Sequence, residues 1–434
     1  MKKIFASVAL LSVMYATNAQ SINKIIKEKE VMRIEETLSS DDMQGRRTFT
    51  PGIEKASAFI ESEFKKIGLQ TFTGAANYRQ EFFMYQSTTT SEKIIINGSP
   101  VADSLVACFS YEPAISLTEK SDVEVVSIKA GEKFGAKFYQ YYQSKKNLLV
   151  LVDTSFKSRL KNLQKFESTS AEPGKNIVVF VFGPAEATTF SIDVTNAVQQ
   201  KALNNVVGVL PGKSKPDEYV IFSGHYDHLG TGSPAEGVPH DTKDSIYNGA
   251  NDDAAGSTAV IMLAQYFKKL NNNERTIIFT TFVAEELGLF GSQYFSKQLA
   301  PEKVMAMFNI EMIGTESKWG LKSAYITGFE KSDMGKILQK NLTGSSFVFY
   351  ADPYPDQQLF YRSDNATLAK LGVPAHTIST SKMDNEPNYH RASDEIGTLD
   401  MDNMTEIIKA IAISSTNIIT GQDTPSRVDT TQLR

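Results

Sequence analysis

From Asn204 onward, short apolar runs alternate with segments of helical periodicity. The apolar runs predict strands at 206–210, 219–223, 275–283, 304–310 and 375–379, and the periodic segments predict helices at 254–270, 289–299 and 404–419. Strands that alternate with helices form a mostly parallel sheet, because each helix returns the chain to the same end of the sheet and covers one of its faces. The sequence therefore predicts an α/β protein with a mostly parallel, mixed sheet sandwiched by helices.

The part of the chain before Asn204 shows two different sequence patterns. Residues 21–38 and 51–67 have helical periodicity and are predicted to belong to the α/β domain. Residues 91–199 instead contain short β-rich runs separated by turn residues, with a polar stretch at 161–175 that is predicted to be a loop. We therefore expect an α/β domain formed by 20–90 and 200–425, a β-rich insert at 91–199, and a tail at 426–434.

Residues 1–19 have the pattern of a signal peptide. Lys2 and Lys3 precede an apolar run that ends in small residues at Ala19 and is too short to span a bilayer. No later segment is a transmembrane candidate, so the chain is expected to be exported to the periplasm or the extracellular space. Its single cysteine, Cys108, excludes an intrachain disulfide and is expected to be a small core residue.

The charge of the chain argues against a nucleic-acid partner. Its 45 basic and 50 acidic residues give a formal net charge of −5, and a hydrophobic content of 41% is typical of a soluble globular protein. Nucleic-acid-binding domains are usually basic. The partner is therefore sought among small molecules, peptides and proteins.

A His-x-Asp pair, His225 and Asp227, stands where the strand at 219–223 ends. In open α/β sheets, ligands bind outside the carboxyl ends of the strands. His225 is thus a candidate metal ligand at the sheet edge. Asp227 lies on the same side and is predicted to orient the imidazole through its second nitrogen.

Four further groups of polar residues follow predicted strands or open predicted helices. They are Asp252-Asp253 at a helix start, Glu285-Glu286 after the strand at 275–283, Glu311 after the strand at 304–310, and the segment 388–395 with His390. Adjacent buried carboxylates repel each other, so a Glu-Glu pair at such a place requires a cation or a raised pKa. Because all these positions fall where a parallel sheet gathers its loops, we expect one shared site.

This ordered set of motifs resembles the zinc-dependent exopeptidases of metallopeptidase family twenty-eight, the group that includes bacterial leucyl aminopeptidases and glutamate carboxypeptidase II. The resemblance covers about residues 21–90 and 200–425, and it extends to the segment from Ser40 to Arg46 with the following Thr50-Pro51-Gly52. It implies two zinc ions bridged by an Asp and by a water or hydroxide. The insert lies where larger members of the family carry a protease-associated insert.

Carried over position by position, the resemblance implies these ligands: His225 and Glu311 for one zinc ion, Glu286 and His390 for the other, and Asp252 as the bridge. Glu285 is implied as the general base and Tyr389 as the residue that stabilises the oxyanion. Asp253 is implied to follow its neighbour across a cis peptide bond.

Two positions depart from the family pattern. Glu311 stands where the family usually has Asp, and Ser363-Asp364-Asn365 replaces the more usual Ser-Asp-His. The three other histidines, His228, His240 and His376, match no ligand of the family and are predicted to be ordinary hydrogen-bonding residues.

The function expected from these residues is that of an exported di-zinc metallopeptidase, specifically an aminopeptidase that acts on peptide or protein N-termini. One alternative is a glutaminyl-peptide cyclase with one zinc ion, and another is a non-catalytic binding protein with the same fold. Arg362 and Asp364 are candidates for substrate recognition. The residue preference, the terminus cleaved, the role of the insert and the oligomeric state, with a dimer as one option, stay open from the sequence.

Overall fold

A computed structural model describes residues 22–165, 168–232 and 244–434 of the chain. The predicted signal peptide at 1–19 and His240 lie outside the described residues. The chain forms two compact units: a larger unit, which comprises the residues up to Phe82 and Leu203–Arg434, and an insert unit, Phe83–Ala202. None of the helices in the described part of the chain is both long enough and apolar enough to cross a membrane.

The strands, in chain order, are β1 Gln70–Thr71, β2 Arg79–Ile96, β3 Ser99–Val101, β4 Val106–Phe109, β5 Ala114–Thr118, β6 Glu124–Ile128, β7 Leu148–Val152, β8 Ser168–Ser170, β9 Val178–Phe182, β10 Phe190–Leu210, β11 Lys215–His225, β12 Gly230–Thr231, β13 Ile246–Tyr247, β14 Arg275–Phe282, β15 Val304–Ile310, β16 Ser323–Ile326, β17 Val348–Ala351 and β18 Ala375–Ser379. The helices are α1 Glu28–Leu38, α2 Pro51–Ile67, α3 Phe134–Tyr142, α4 Lys157–Lys165, α5 Ala255–Leu270, α6 Phe290–Ser296, α7 Met334–Asn341, α8 Asn365–Ala369 and α9 Met401–Ile419.

The sheet of the larger unit has the strand order β17-β16-β18-β15-β11-β14-β10. Strand β11 pairs in parallel with β14 on one side and with β15 on the other, and β15 continues in parallel with β18. The β10–β14 and β16–β18 pairs are antiparallel. The prediction of a mixed sheet in an α/β protein is confirmed, and its central strands, β14, β11, β15 and β18, run parallel to one another.

Both faces of this sheet are covered, because successive residues of β11 point to opposite sides. Phe222 stacks on Phe267 of α5, with ring centroids 5.6 Å apart. Its neighbour Ile221 belongs to a different cluster, which includes Phe295 of α6 and Leu368 of α8. A strand buried on both faces reads as a continuous apolar run, which is why the sequence at 219–223 shows no alternation.

Local sequence signals account for both ends of helix α2. Helix α2 begins with Pro51, whose fixed φ suits the first helical position, and stops at Gly68, which has a φ of +80°.

The sequence predicted no helix or strand in the region between Glu311 and β18, yet this region contains β16, α7 and β17. Strands β16 and β17 are only four residues long each, and so short a run carries little periodicity.

The insert unit contains a second sheet with the order β4-β9-β7-β6. The β6–β7 and β7–β9 pairs are parallel, and helices α3 and α4 lie between these strands in the chain. The polar stretch 161–175 was predicted to be a loop, and this was wrong at its start, which is the second half of α4. Leu160 and Leu163 pack in the core beside β7 and β9, so two leucines with helical spacing fix this otherwise polar helix.

Candidate metal centre

Three neighbouring parallel strands bring acidic and imidazole groups to one edge of the sheet. Strand β11 ends at His225, Glu285 and Glu286 follow β14, and Glu311 follows β15. Because β11 lies between β14 and β15, the carboxyl ends of all three strands meet. The topology of the sheet therefore gathers residues that are far apart in the sequence.

The first cluster consists of His225, Asp252 and Glu311, whose candidate ligand atoms all lie within 4.8 Å of one another. The Nε2 atom of His225 is 3.2 Å from Oδ1 of Asp252. Both this Nε2 and Oε2 of Glu311 are buried and have no hydrogen-bond partner. Buried donors and acceptors are normally paired, so these two atoms are suited to a shared cation.

The sequence predicted that the carboxylate of Asp227 orients His225, whereas in the structure the backbone carbonyl of Asp227 does so. Its Nδ1 lies 3.1 Å from the backbone oxygen of Asp227, whereas the carboxylate Oδ1 of Asp227 is 4.0 Å away. That Oδ1 instead accepts a hydrogen bond from the backbone N–H of Glu285, at 3.1 Å. A carbonyl oxygen can only accept a hydrogen bond, so a neutral His225 ring must carry its hydrogen on Nδ1. The lone pair of Nε2 then faces Asp252.

A second cluster shares Asp252 with the first. The Nε2 atom of His390 lies 3.4 Å from Oδ2 of Asp252 and 3.3 Å from Oε2 of Glu286. Asp252 therefore directs one oxygen toward His225 and the other toward His390. A carboxylate between two imidazoles in this way has the geometry of a bridging ligand.

His228, which the sequence prediction left without a role at the site, lies in this second cluster. Its Nδ1 is 2.8 Å from Oε1 of Glu286 and 4.0 Å from Oδ2 of Asp252, and the three residues form a group that could hold a metal ion. The signal that could have revealed it is its position three residues after His225, on the same loop.

The backbone around Asp252 is fixed by two other carboxylates. Asp394 accepts hydrogen bonds from the N–H groups of Asn251 and Asp252, at 2.9 and 3.0 Å. Asp253 accepts from the N–H groups of His225 and Met312, both at 3.1 Å, and so joins the ends of β11 and β15. The peptide bond between Asp252 and Asp253 is cis, as the resemblance implied.

The charges of the site favour a cation. Burial raises the pKa of Glu285 well above its ordinary value, and Glu311 and Asp364 raise it further against the opposing effect of His225. Burial alone would lower the pKa of His225, but Glu285 and Asp252 raise it well above the usual range. The carboxylates thus draw positive charge onto an imidazole that is almost fully buried.

The centre opens into a cavity. It is lined by Asp252, Glu285, Glu311, Met312, Tyr325, Thr327, Leu359, Arg362, Ser363, Thr377, Ser379, Met383, Tyr389 and His390. The ring of Tyr389 stacks on that of His390 with centroids 4.0 Å apart, and Nη2 of Arg362 lies 3.5 Å from the Tyr389 hydroxyl. Asp364 is fully buried, and burial raises its pKa to about 7.

Comparison with known proteins agrees with this geometry. A family model described as Peptidase family M28 matches residues 205–414. A probable leucine aminopeptidase of Trichophyton verrucosum is 28% identical over 214 residues, which are 47% of this chain and 54% of that protein. A probable zinc metalloprotease of Pyrenophora teres f. teres is 32% identical over 134 residues, 30% of this chain and 25% of that protein.

Among solved structures, an aminopeptidase from Aneurinibacillus sp. strain AM-1 matches with a TM-score of 0.55 and 18% identity, over 92% of this chain and 95% of that one. At this identity the match shows a common fold. The chain spans about half of the length of the curated leucine aminopeptidase that it matches.

The fold and the site define an α/β protein that gathers two imidazole–carboxylate clusters around one shared aspartate. Residues 205–414, which carry His225, Asp252, Glu285, Glu286, Glu311 and His390, match peptidase family M28.

Proposed function

We propose that this protein is a zinc aminopeptidase that removes residues from the free N-termini of peptides or proteins. The observation that carries the proposal is the position of Asp252, whose two oxygens lie 3.2 Å from His225 and 3.4 Å from His390. Two-metal sites recur in aminopeptidases, and a carboxylate placed in this way could be shared by both ions. Export of the chain is proposed from the pattern of residues 1–19 alone.

The donor set supports zinc. The candidate ligands are His225 and Glu311 with Asp252 for one ion, and Glu286 and His390 with Asp252 for the other. Imidazole nitrogens and carboxylate oxygens are common ligands of zinc at catalytic sites. The similar proteins include one named as a zinc metalloprotease, which points to the same metal.

The residues around the centre have distinct tasks in peptide hydrolysis. When bound, the two zinc ions would polarise the scissile carbonyl and make an attacking water more acidic. Glu285 would accept the proton of that water and deliver it to the leaving amine, a role for which a raised pKa suits a carboxylate. The hydroxyl of Tyr389, which lines the same cavity, would donate a hydrogen bond to the oxygen that becomes negative.

The similar proteins favour an N-terminus over a C-terminus as the end that is cleaved. The acidic residues of the cavity lining, Asp252, Glu285 and Glu311, are already assigned to the metal ions and the attacking water, and the ions would balance their charge. The relative of Trichophyton verrucosum is named as a probable leucine aminopeptidase. An aminopeptidase is therefore the better match.

The wall of the cavity also suggests which N-terminal residues are accepted. Met312, Tyr325, Leu359 and Met383 contribute apolar surface to the lining. Burial of an apolar side chain is worth roughly 1.5–3 kcal/mol relative to its exposure to water. We propose that the enzyme prefers substrates whose first residue is apolar and of moderate size.

The proposal can be tested with a mixture of peptides that have either free or acetylated N-termini. Zinc-loaded protein should shorten only the free peptides, from the N-terminus, and elemental analysis should find two zinc ions per chain. Trimming from the C-terminus would contradict the aminopeptidase assignment. One zinc ion per chain together with ring formation at N-terminal glutamine would identify a glutaminyl-peptide cyclase, and zinc binding without any turnover would identify a binding protein.

A further inference from the structure

Arg46 is fully buried, and its guanidinium donates hydrogen bonds to four backbone carbonyl oxygens. Nε donates to the carbonyl oxygen of Tyr226 at 2.8 Å, and Nη1 donates to those of Leu38 at 2.7 Å and Asn248 at 2.5 Å. Nη2 donates to the carbonyl oxygen of Gly249 at 2.8 Å. One side chain thus connects the end of α1 with two separate loops.

These two loops carry two of the candidate metal ligands, His225 and Asp252. Tyr226 lies between His225 and Asp227, and Asn248 and Gly249 immediately precede the turn that contains Asp252. The backbone of Arg46 adds a further bond, because its carbonyl oxygen accepts from the N–H of His228 at 3.2 Å. Arg46 therefore holds residues from both sides of the first cluster.

The backbone of this segment fits closely between the same loops. Gly45 has a φ of +64°, and a Cβ at this position would lie 2.5 Å from the carbonyl oxygens of both Gly230 and Tyr247. The approach is too close for any other residue without movement of the loops. The chain from 41 to 46 is thus packed directly against the segments on either side of the centre.

The charge of Arg46 is placed to act on the site as well. Burial lowers the pKa of Arg46, while Glu35, Asp394, Asp252 and Asp253 oppose this effect and favour the charged form. A buried cation without a carboxylate in hydrogen-bond contact is costly unless its donors are satisfied. Here four of the five N–H groups of the guanidinium donate to carbonyl oxygens.

We propose that Arg46 is a positioning residue of the metal centre, which fixes the His225–His228 loop against the Asn248–Asp252 turn so that His225 and Asp252 can bind the same ion. The inference rests on the metal centre proposed above. It does not assign Arg46 any contact with substrate or with the reacting atoms.

Arg46→Lys tests this role, because a lysine retains the charge but cannot bond to four carbonyl groups in a planar arrangement. Arg275→Lys is the matched control. Arg275 is also buried and donates to the carbonyl oxygens of Ile418 and Asp423, at 2.7 and 2.8 Å, but it lies at the start of β14, at the opposite end of the strand from Glu285. Zinc affinity of the full chain is measured by competition with a chromophoric chelator.

We expect Arg46→Lys to raise the zinc dissociation constant by ~10- to 100-fold, the usual effect of losing a residue that orients metal ligands. Arg275→Lys should bind zinc like the wild type, whatever its thermal stability. Wild-type zinc affinity in Arg46→Lys, or an equal loss in Arg275→Lys, would overturn the inference. A wild-type chain that binds no zinc would instead overturn the proposed function, and this inference with it.

A second measurement needs no variant. Linkage is reciprocal, so if Arg46 holds the metal ligands in place, bound zinc must in turn stabilise the segment that carries Arg46. Hydrogen–deuterium exchange of the wild-type chain should therefore slow at 41–46 and at 248–252 when zinc is added. Slowing at 248–252 without any change at 41–46 would contradict the role of Arg46, even if Arg46→Lys does not fold.

Discussion

The Nδ1 atom of His228 lies 2.8 Å from Oε1 of Glu286, while the other oxygen of Glu286 lies 3.3 Å from His390. Burial and Asp252 raise the pKa of Glu286, but hydrogen bonds with His228 and His390 outweigh them and lower it to about 2. An ionised carboxylate only accepts hydrogen bonds, so Nδ1 of His228 must carry the hydrogen. His228 thereby orients the carboxylate that is expected to bind the second metal ion.

Removal of this hydrogen bond should weaken the second metal position. We expect His228→Ala to raise the zinc dissociation constant by at least ~10-fold, because Glu286 loses the partner that fixes its rotamer. His228→Asn should retain most of the affinity, since its amide nitrogen can occupy the place of Nδ1. Zinc titration of both variants provides the measurement.

The control for His228 is His376, another buried histidine. It is hydrogen-bonded to the hydroxyl of Ser332 at 2.7 Å and to the carbonyl oxygen of Thr327 at 2.8 Å. His376→Ala should lower thermal stability but leave zinc affinity unchanged. If His228→Ala and His376→Ala weaken zinc binding equally, the effect of His228 on the centre is only structural.

Glu285→Gln separates proton transfer from metal binding. The amide of glutamine has nearly the shape of the carboxylate but cannot accept the proton of the attacking water. We expect kcat to fall by ~10²- to 10⁴-fold, the usual contribution of a general base. Zinc content, measured by elemental analysis, should stay at the wild-type value.

Glu286→Gln provides the contrast, because Glu286 lies against His390 and is proposed to be a ligand. This variant should lose zinc from the second position as well as activity. Near wild-type turnover in Glu285→Gln would remove Glu285 from the proposed mechanism, and so would a loss of zinc as large as that in Glu286→Gln.

The parallel core of the fold and the gathering of the site residues could be predicted because both follow from local sequence. An apolar run that is buried on both faces ends at His225, another ends before Glu285, and a third ends before Glu311. Parallel strands place their carboxyl ends at one edge of the sheet, so their order hardly matters for the prediction. The turn that contains Asp252 and opens helix α5 lies at the same edge of the sheet.

The residues that support the site could not be found in this way. Arg46 bonds to residues about 200 positions away, and Asp394 bonds to backbone N–H groups, which are the same for every residue type. The segments 40–46 and 388–395 were both singled out from the sequence, but neither the residue type nor the spacing of Arg46 and Asp394 indicates these bonds. The sequence also could not show which oxygen of Asp227 orients His225. In so short a loop, either the backbone carbonyl or the carboxylate of Asp227 can face the ring, and the structure has the carbonyl.

Tyr389→Phe tests the proposed oxyanion contact. Phenylalanine can retain the stacking on His390, at 4.0 Å between ring centroids, but lacks the hydroxyl that lies at the cavity. We expect kcat to fall by ~10²-fold with little change in KM, because a hydrogen bond formed only in the transition state affects kcat. A rise in KM at constant kcat would show that the hydroxyl binds substrate in its ground state instead.

Glu35 provides a prediction for stability that does not depend on the activity. Its carboxyl is fully buried in α1, where Oε2 accepts a hydrogen bond from the hydroxyl of Thr258 at 2.8 Å. Burial raises the pKa of Glu35 to about 8, and the hydrogen bond from Thr258 and the charge of Arg46 offset only part of this effect. The folded chain therefore retains a proton on Glu35 at pH values where the unfolded chain has released it.

The sign of the pH dependence follows from this difference. Between about pH 4.5, the ordinary value for a glutamate, and pH 8, the folded state binds more protons than the unfolded state, so the free energy of unfolding decreases as the pH rises. Glu35→Gln removes the titration but retains an acceptor for Thr258. Its stability should thus rise relative to the wild type across this range, by at most about 1.4 kcal/mol per pH unit.

Denaturant unfolding at saturating zinc, at several pH values from 5 to 8, measures the difference between the two proteins. Glu36→Gln, a substitution of the exposed glutamate that follows in the same helix, is the control and should parallel the wild type. Comparison with this variant removes the pH dependence of zinc binding, which all three proteins share. A difference between Glu35→Gln and the wild type that stays constant over this range would mean that Glu35 is ionised in the folded chain throughout.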